Sequence, residues 1–104
     1  MKTSSSQSNK DRLVAMFNAL SNPIRFQIIE FISERHVCIS KDIVASVNLA
    51  QSTVSQHLSI LRDAGLVQAE IIGPATRYSI NAESIRWLKD QVRHWMPEYS
   101  LPED

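Results

Sequence analysis

The sequence of 104 residues predicts one mostly helical domain that carries a single β-hairpin. Three observations lead there. Apolar residues recur at helical spacing in five separate stretches. Two runs of strand-forming residues, "LVQAEII" and "RYSI", flank the turn "GPAT". The only two glycines, Gly65 and Gly73, fall where a helix would close and where a hairpin would turn. Hydrophobic residues make up 43% of the chain, too many for a disordered one. The expected organisation is a flexible, solvated arm over residues 1–10, a folded domain over 11–96, and an acidic tail over 97–104.

Each element has a local reason. "DRLVAMFNAL" places Leu13, Phe17 and Leu20 on one helical stripe with Met16 beside them. Asn22 before Pro23 is a helix start, because the amide oxygen can cap free N–H groups and proline presets φ without adding an orphan donor. The second helix, about 23–34, lines up Ile24, Ile28, Phe31 and Ile32. "HVCI" (36–39) is short and β-branched and reads as a brief strand. Ser40 can cap a third helix over 41–47, which buries Ile43, Val44 and Val47. The polar turn "NLAQ" separates it from a fourth helix in "QSTVSQHLSILRDAGLV", closed by Gly65. Residues 66–80 form the hairpin, and Asn81 caps a last helix that Pro97 stops. A short helix, a tight turn and a longer helix make a helix-turn-helix, and the hairpin after it is a wing.

The fourth helix has an unusual division. With Val54 at zero on a 100° wheel, Leu58 and Leu61 lie within about 40° of it and form a narrow core stripe. Ser52, Ser55, Gln56 and Ser59 lie on the opposite side, between about 100° and 200°. That side has no lysine, arginine or glutamate, although those are better helix formers than serine. A plain solvated helix would use them. Short hydrogen-bonding side chains suit close approach to the major groove, where glutamine pairs with adenine and serine bonds to donors or acceptors. Thr53 and His57 on the flanks, and Arg62 near the far end, suit phosphate contact.

Formal net charge is zero, which is unlike the basic footprint of a strong nucleic-acid binder. The charge is uneven, however. Glu98, Glu103 and Asp104 sit in the tail, leaving 11 basic against 8 acidic side chains elsewhere, a bias of +3. A single cysteine, Cys38, allows no internal disulfide and fits a reducing cytoplasm. No apolar run is long enough to span a membrane, and "MKTSSSQSNK" lacks the apolar core of a signal peptide. No nucleophile elbow, P-loop, HExxH or glycine-rich loop occurs, so neither enzymatic chemistry nor a cofactor is expected.

"ALSNPIRFQII" (19–29), "QSTVSQHLSILRDAGLV" (51–67) and "RYSI" closely resemble the ArsR/SmtB family of bacterial winged helix-turn-helix repressors. The resemblance covers about residues 12–95. It implies a homodimer joined through the first and last helices, bound to an inverted-repeat DNA operator. By position, it places Thr53, Ser55, Gln56 and His57 at the DNA-reading sites with Ser52 adjacent, and makes Arg25 either a structural residue or a phosphate contact. Arg77, before the wing tyrosine Tyr78, is the basic residue expected near the wing tip, in reach of the minor groove or phosphate. The last helix carries Ile85, Leu88, Val92 and Trp95 on one stripe, more apolar width than one small core uses. That predicts a dimer seam of Leu13, Phe17, Leu20, Leu88, Val92 and Trp95; otherwise both tryptophans close the monomer's own core.

Two departures stand out. Ala50 replaces the serine cap frequent in the family, and the wing "AEIIGPAT" lacks arginine and carries Glu70. The family's metal motifs are broken too. Cys38 has Ser40 where a second thiolate would be, and His94 is not followed by a glutamate three residues on. No metal site is expected, and Cys38 is expected as a small buried apolar residue. The sequence therefore points to a cytoplasmic, dimeric DNA-binding repressor. The rival is a winged-helix module for protein contact, supported by the zero net charge and opposed by the polar helix face.

Overall fold

The Asn22–Pro23 step behaves as its residue types predict. Asn22 is extended (φ −91°, ψ 130°), and its Oδ1 accepts from the N–H groups of Ile24 at 2.8 Å and Arg25 at 3.1 Å. This cap separates the first two helices in a computed structural model that describes the backbone of residues 4–95 and the side chains of 8–95. The order is α1 (Ser4–Leu20), α2 (Pro23–Arg35), β1 (Val37–Ile39), α3 (Ser40–Val47), α4 (Gln51–Asp63), β2 (Val67–Ile72), β3 (Ala75–Ile80) and α5 (Ala82–Trp95). A helix-turn-helix, α3–α4, is thus followed by a β-hairpin wing and a closing helix. The tail 97–104, with Pro97, lies outside the described residues, as do residues 1–3.

Positive φ occurs where the chain must turn back. Asn48 closes α3 in the left-handed region (φ 55°, ψ 45°), which asparagine tolerates better than most residues, and its N–H reaches the Val44 carbonyl. Gly65 (φ 82°) ends α4, and the Leu66 N–H bonds back to the Leu61 carbonyl at 3.0 Å. Ile72 pairs with Ala75, so the wing turn has two central residues, Gly73 and Pro74. Gly73 at φ 59° followed by proline fits the type II′ turn, whose twist matches the strands. Asn81 caps α5 through Oδ1 to the Ser84 N–H at 3.1 Å.

The hairpin gains a third strand. β1 pairs antiparallel with β3, Cys38 opposite Tyr78, giving the order β1-β3-β2. The core lies between this sheet and the helices. It consists of Met16, Ala19, Ile28, Ile32, Cys38, Ile43, Val54, Leu58, Leu61, Leu66 and Val67. The anchor stripe of α4 is buried as the wheel predicts, at 1%, 3% and 0% exposure for Val54, Leu58 and Leu61.

One local expectation is corrected: Ser40 is the first residue of α3, not its cap; Ile39 holds that place and no side chain caps the helix. The helix α1 runs back to Ser4. In α1 the core takes Met16 and Ala19, while Phe17, expected in a dimer seam, is 40% exposed. Leu20 and Leu88, expected in the same seam, are half-buried beside the core.

Replacing Asn22 by alanine leaves two N–H groups of α2 without their acceptor. The expected loss is about 1 kcal/mol, read as a lower denaturant midpoint at fixed protein concentration. An unchanged midpoint would show that water replaces the cap at no cost.

Candidate nucleic-acid interface

Burial of Val54, Leu58 and Leu61 fixes the roll of α4 and sends its polar side outward. Ser52, Ser55, Gln56 and Arg62 are exposed, and Ser59 is half-buried beside them. This patch offers hydroxyls, one amide and a single cation at its far end. Ala50 supplies no side-chain cap, so the first-turn N–H groups of α4 are left to solvent or an incoming acceptor.

Thr53 and His57 are half-buried and sit to one side of that patch. His57 lies about 60° from Val54 on the wheel, on the side turned toward α1 and α2. Its Nδ1 is 3.4 Å from Nη1 of Arg25. Arginine has only donors, so Nδ1 must accept, and the ring is then neutral with its proton on Nε2. Burial, and secondarily the Arg25 charge, push the His57 pKa below the ordinary histidine value. The free protein therefore presents His57 as a neutral donor rather than as the phosphate-binding cation of the flank. Arg25 itself is turned inward. Its Nε donates to the Ala19 carbonyl at 2.7 Å and its Nη2 to the Asn18 carbonyl at 3.4 Å.

In the wing, Arg77 is the third residue of β3 after the turn, opposite Ile39 on one side and Glu70 on the other. Its Nη2 meets Glu70 Oε1 at 2.6 Å. The two side chains are 44% and 64% exposed, so the pair is worth under about 1 kcal/mol and opens readily to a competing anion. Beyond Arg77 the wing is uncharged, with Ile71 81% exposed.

A second surface lies along α1 and α5. Val14, Phe17 and Trp95 are 60%, 40% and 59% exposed, and the Phe17 and Trp95 rings are 6.5 Å apart at 44°. Trp87, by contrast, packs against the core under the Arg12 guanidinium, 3.9 Å from its ring centre. Val92 and Leu13 are half-buried. The two tryptophans thus have separate fates. Val14 was missing from the sequence-predicted seam, although its spacing of three from Phe17 places it on the same face. Cys38 is buried as expected, and burial, reinforced by Asp42, pushes its thiol above the ordinary value while Arg35 opposes. Among the described residues, no three or more of His, Cys, Asp and Glu gather as metal ligands.

Residues 22–69, which hold both helices of the helix-turn-helix, match the family described as "Bacterial regulatory protein, arsR family". The chain is 39% identical over 95 residues to the HTH-type transcriptional regulator YbzH of Bacillus subtilis (strain 168), covering 77% of this chain and 94% of that one. This chain belongs to the ArsR family. Solved structures agree on the fold. An ArsR-like transcriptional regulator from Rhodococcus sp. RHA1 superposes with a TM-score of 0.79 at 20% identity, covering 88% of this chain and 86% of the other. A homodimeric winged helix-turn-helix DNA-binding domain from Mycobacterium bovis, a possible ArsR-family regulator, gives 0.75 at 22% identity and 97% coverage of both chains.

As an ArsR-family member the chain is a DNA-binding transcriptional regulator, and no described helix is long and apolar enough to cross a membrane. Sequence reasoning left Arg25 between two roles. Its contacts to α1 and to His57, 32 residues away, had no signal in the local pattern.

The low pKa of His57 has a thermodynamic sign. The unfolded chain binds a proton near pH 6.5 that the folded chain still refuses, so this group's stability is complete above that value. It is lost as pH falls through the lower folded pKa. NMR titration of the ring should therefore place His57 below 6.5. Arg25→Gln should raise the midpoint only part-way, since desolvation is the larger cause. A midpoint at or above 6.5 in the wild type would contradict the inward placement of the ring.

Proposed function

We propose that this ArsR-family regulator acts as a homodimeric repressor in the cytoplasm, seating two copies of α4 in the major groove of an inverted-repeat operator. The observation that carries the reading is the exposed row Ser52, Ser55 and Gln56 on a helix whose opposite side is buried. Gln56 is the residue suited to bidentate pairing with adenine, and the serines adapt to donor or acceptor edges. Ser59 and Thr53 border the row, and Arg62 and Arg77 supply phosphate contact, Arg77 by exchanging Glu70 for a phosphate oxygen. His57, turned toward Arg25, is assigned no DNA contact.

Dimerisation follows from the apolar strip of Val14, Phe17 and Trp95, which one copy leaves in water. Burying it against a second copy, with Leu13 and Val92 at its margin, supports the seam through α1 and α5. The Mycobacterium bovis domain of the same fold is described as homodimeric. A symmetric pair reads a pseudo-palindrome with half-sites about one DNA turn apart. It also doubles a small set of cations, which matters in a chain with zero net charge.

The rival reading, a protein-contact module, draws support from Ile71 in the apolar wing. Mobility-shift assays on the chain's own promoter at two salt concentrations separate the two. A repressor forms a specific complex on an inverted repeat that weakens steeply with salt. Equal binding to random duplex, or none, sinks the repressor reading. Gln56→Ala should remove about 1–3 kcal/mol of discrimination at one base pair while sparing non-specific affinity. For the seam, Trp95→Glu should shift sedimentation equilibrium from dimer to monomer. A dimer unchanged by that charge places the interface elsewhere.

A further inference from the structure

We infer that Arg25 is a positioning residue for DNA selectivity: through His57 it sets where α4 stands relative to the α1–α2 corner. The inference rests on the proposed DNA reading and goes beyond it, because Arg25 is assigned no contact with DNA. Its guanidinium is planar, so three contacts in one plane define its orientation. Two of them end on α1, at the carbonyls of Ala19 (2.7 Å) and Asn18 (3.4 Å). The third ends on α4, at His57 Nδ1 (3.4 Å). α1 has no basic residue in its own last turn, and Arg25 supplies the missing cation there from the next helix. The backbone of Arg25 is held in turn by the Asn22 cap.

The packing around this bracket explains why it matters. Beside it, α1 and α4 face each other across an open cleft of about 410 Å³ lined by Ala15, Asn18, Ala19, Ile60, Asp63 and Ala64. Beyond the buried Ala19, small and solvent-facing side chains fill this side of α4 less than Val54, Leu58 and Leu61 fill the other, and the polar contact adds a fixed point here. Gln56 is the residue just before His57, so a shift of the His57 backbone carries the reading side chain with it. A base-edge hydrogen bond tolerates only a few tenths of an ångström before it weakens.

The test compares the wild-type-preferred duplex, selected from a random-sequence pool, with a scrambled duplex at fixed salt. Arg25→Lys keeps the charge but cannot make the three-way fork. His57→Leu removes the acceptor, and His57→Asn puts an amide oxygen close to where Nδ1 lies. Arg25→Lys and His57→Leu should each lower the preferred-to-scrambled affinity ratio about tenfold, with scrambled affinity changed less than about twofold. The double variant should be no worse than either single one, because both remove the same contact. His57→Asn should retain the wild-type ratio. If Arg25→Lys does not fold, the two His57 variants decide by themselves. Equal loss on both duplexes with a shallower salt slope makes Arg25 a phosphate contact and overturns the inference. So does an unchanged ratio in His57→Leu. A wild type with no preferred duplex overturns the proposed function, and the inference with it.

Discussion

Val54, Leu58 and Leu61, almost fully buried, hold α4 against the rest of the domain, and what the protein shows to DNA depends on that attachment. A helix has one rotational freedom about its axis. Burying three side chains within a narrow arc removes it, because turning the helix by a quarter would put apolar groups into water and serines into the core. The serines on the other side are poor for helix stability, yet the helix forms because its stability comes from the buried face.

Around that anchor the structure closes its ends with polar contacts rather than bulk. Asn22 caps α2, Asn81 caps α5, Asn48 turns the chain between α3 and α4, and Arg25 ties the end of α1 to its neighbours. Asparagine does much of this because its short amide both accepts from free N–H groups and tolerates left-handed backbone. Electrostatically the surface is restrained. Arg77 is met by Glu70 and Arg25 is consumed internally, while His57 is held neutral. With zero formal net charge over the whole chain, long-range attraction for phosphate is weak, and contact with DNA depends on local fit.

Much of this was legible in the sequence. The bounds of α4 and α2, both asparagine caps, the hairpin turn and the α4 anchor stripe follow from spacing and residue type, which act over a few residues. The family resemblance, carried by the long motif from Gln51 to Val67, is shown by the match over residues 22–69 and by the relative of 39% identity. Other features needed the structure. The Ser40 cap failed because the helix starts one residue earlier, at Ser40 itself, with Ile39 in the cap place. The start of α1 at Ser4 had no apolar periodicity to mark it. The Leu13–Phe17–Leu20 stripe was legible as apolar, but which side of α1 meets the core depends on where α4 and α5 sit, and Met16 and Ala19 take it.

The sequence by itself determined the element order, the caps, the polar row on α4 and the family, because these depend on residues close together along the chain. The tertiary structure alone decided the partners. Neither the Arg25–His57 contact across 32 residues, the third strand placing Cys38 opposite Tyr78, nor the separate fates of Trp87 and Trp95 is written in any local pattern. Each arises only when the apolar faces are packed together, since packing brings distant side chains within hydrogen-bond or van der Waals range. The same packing turned Arg25 and His57, both candidates for phosphate, toward each other.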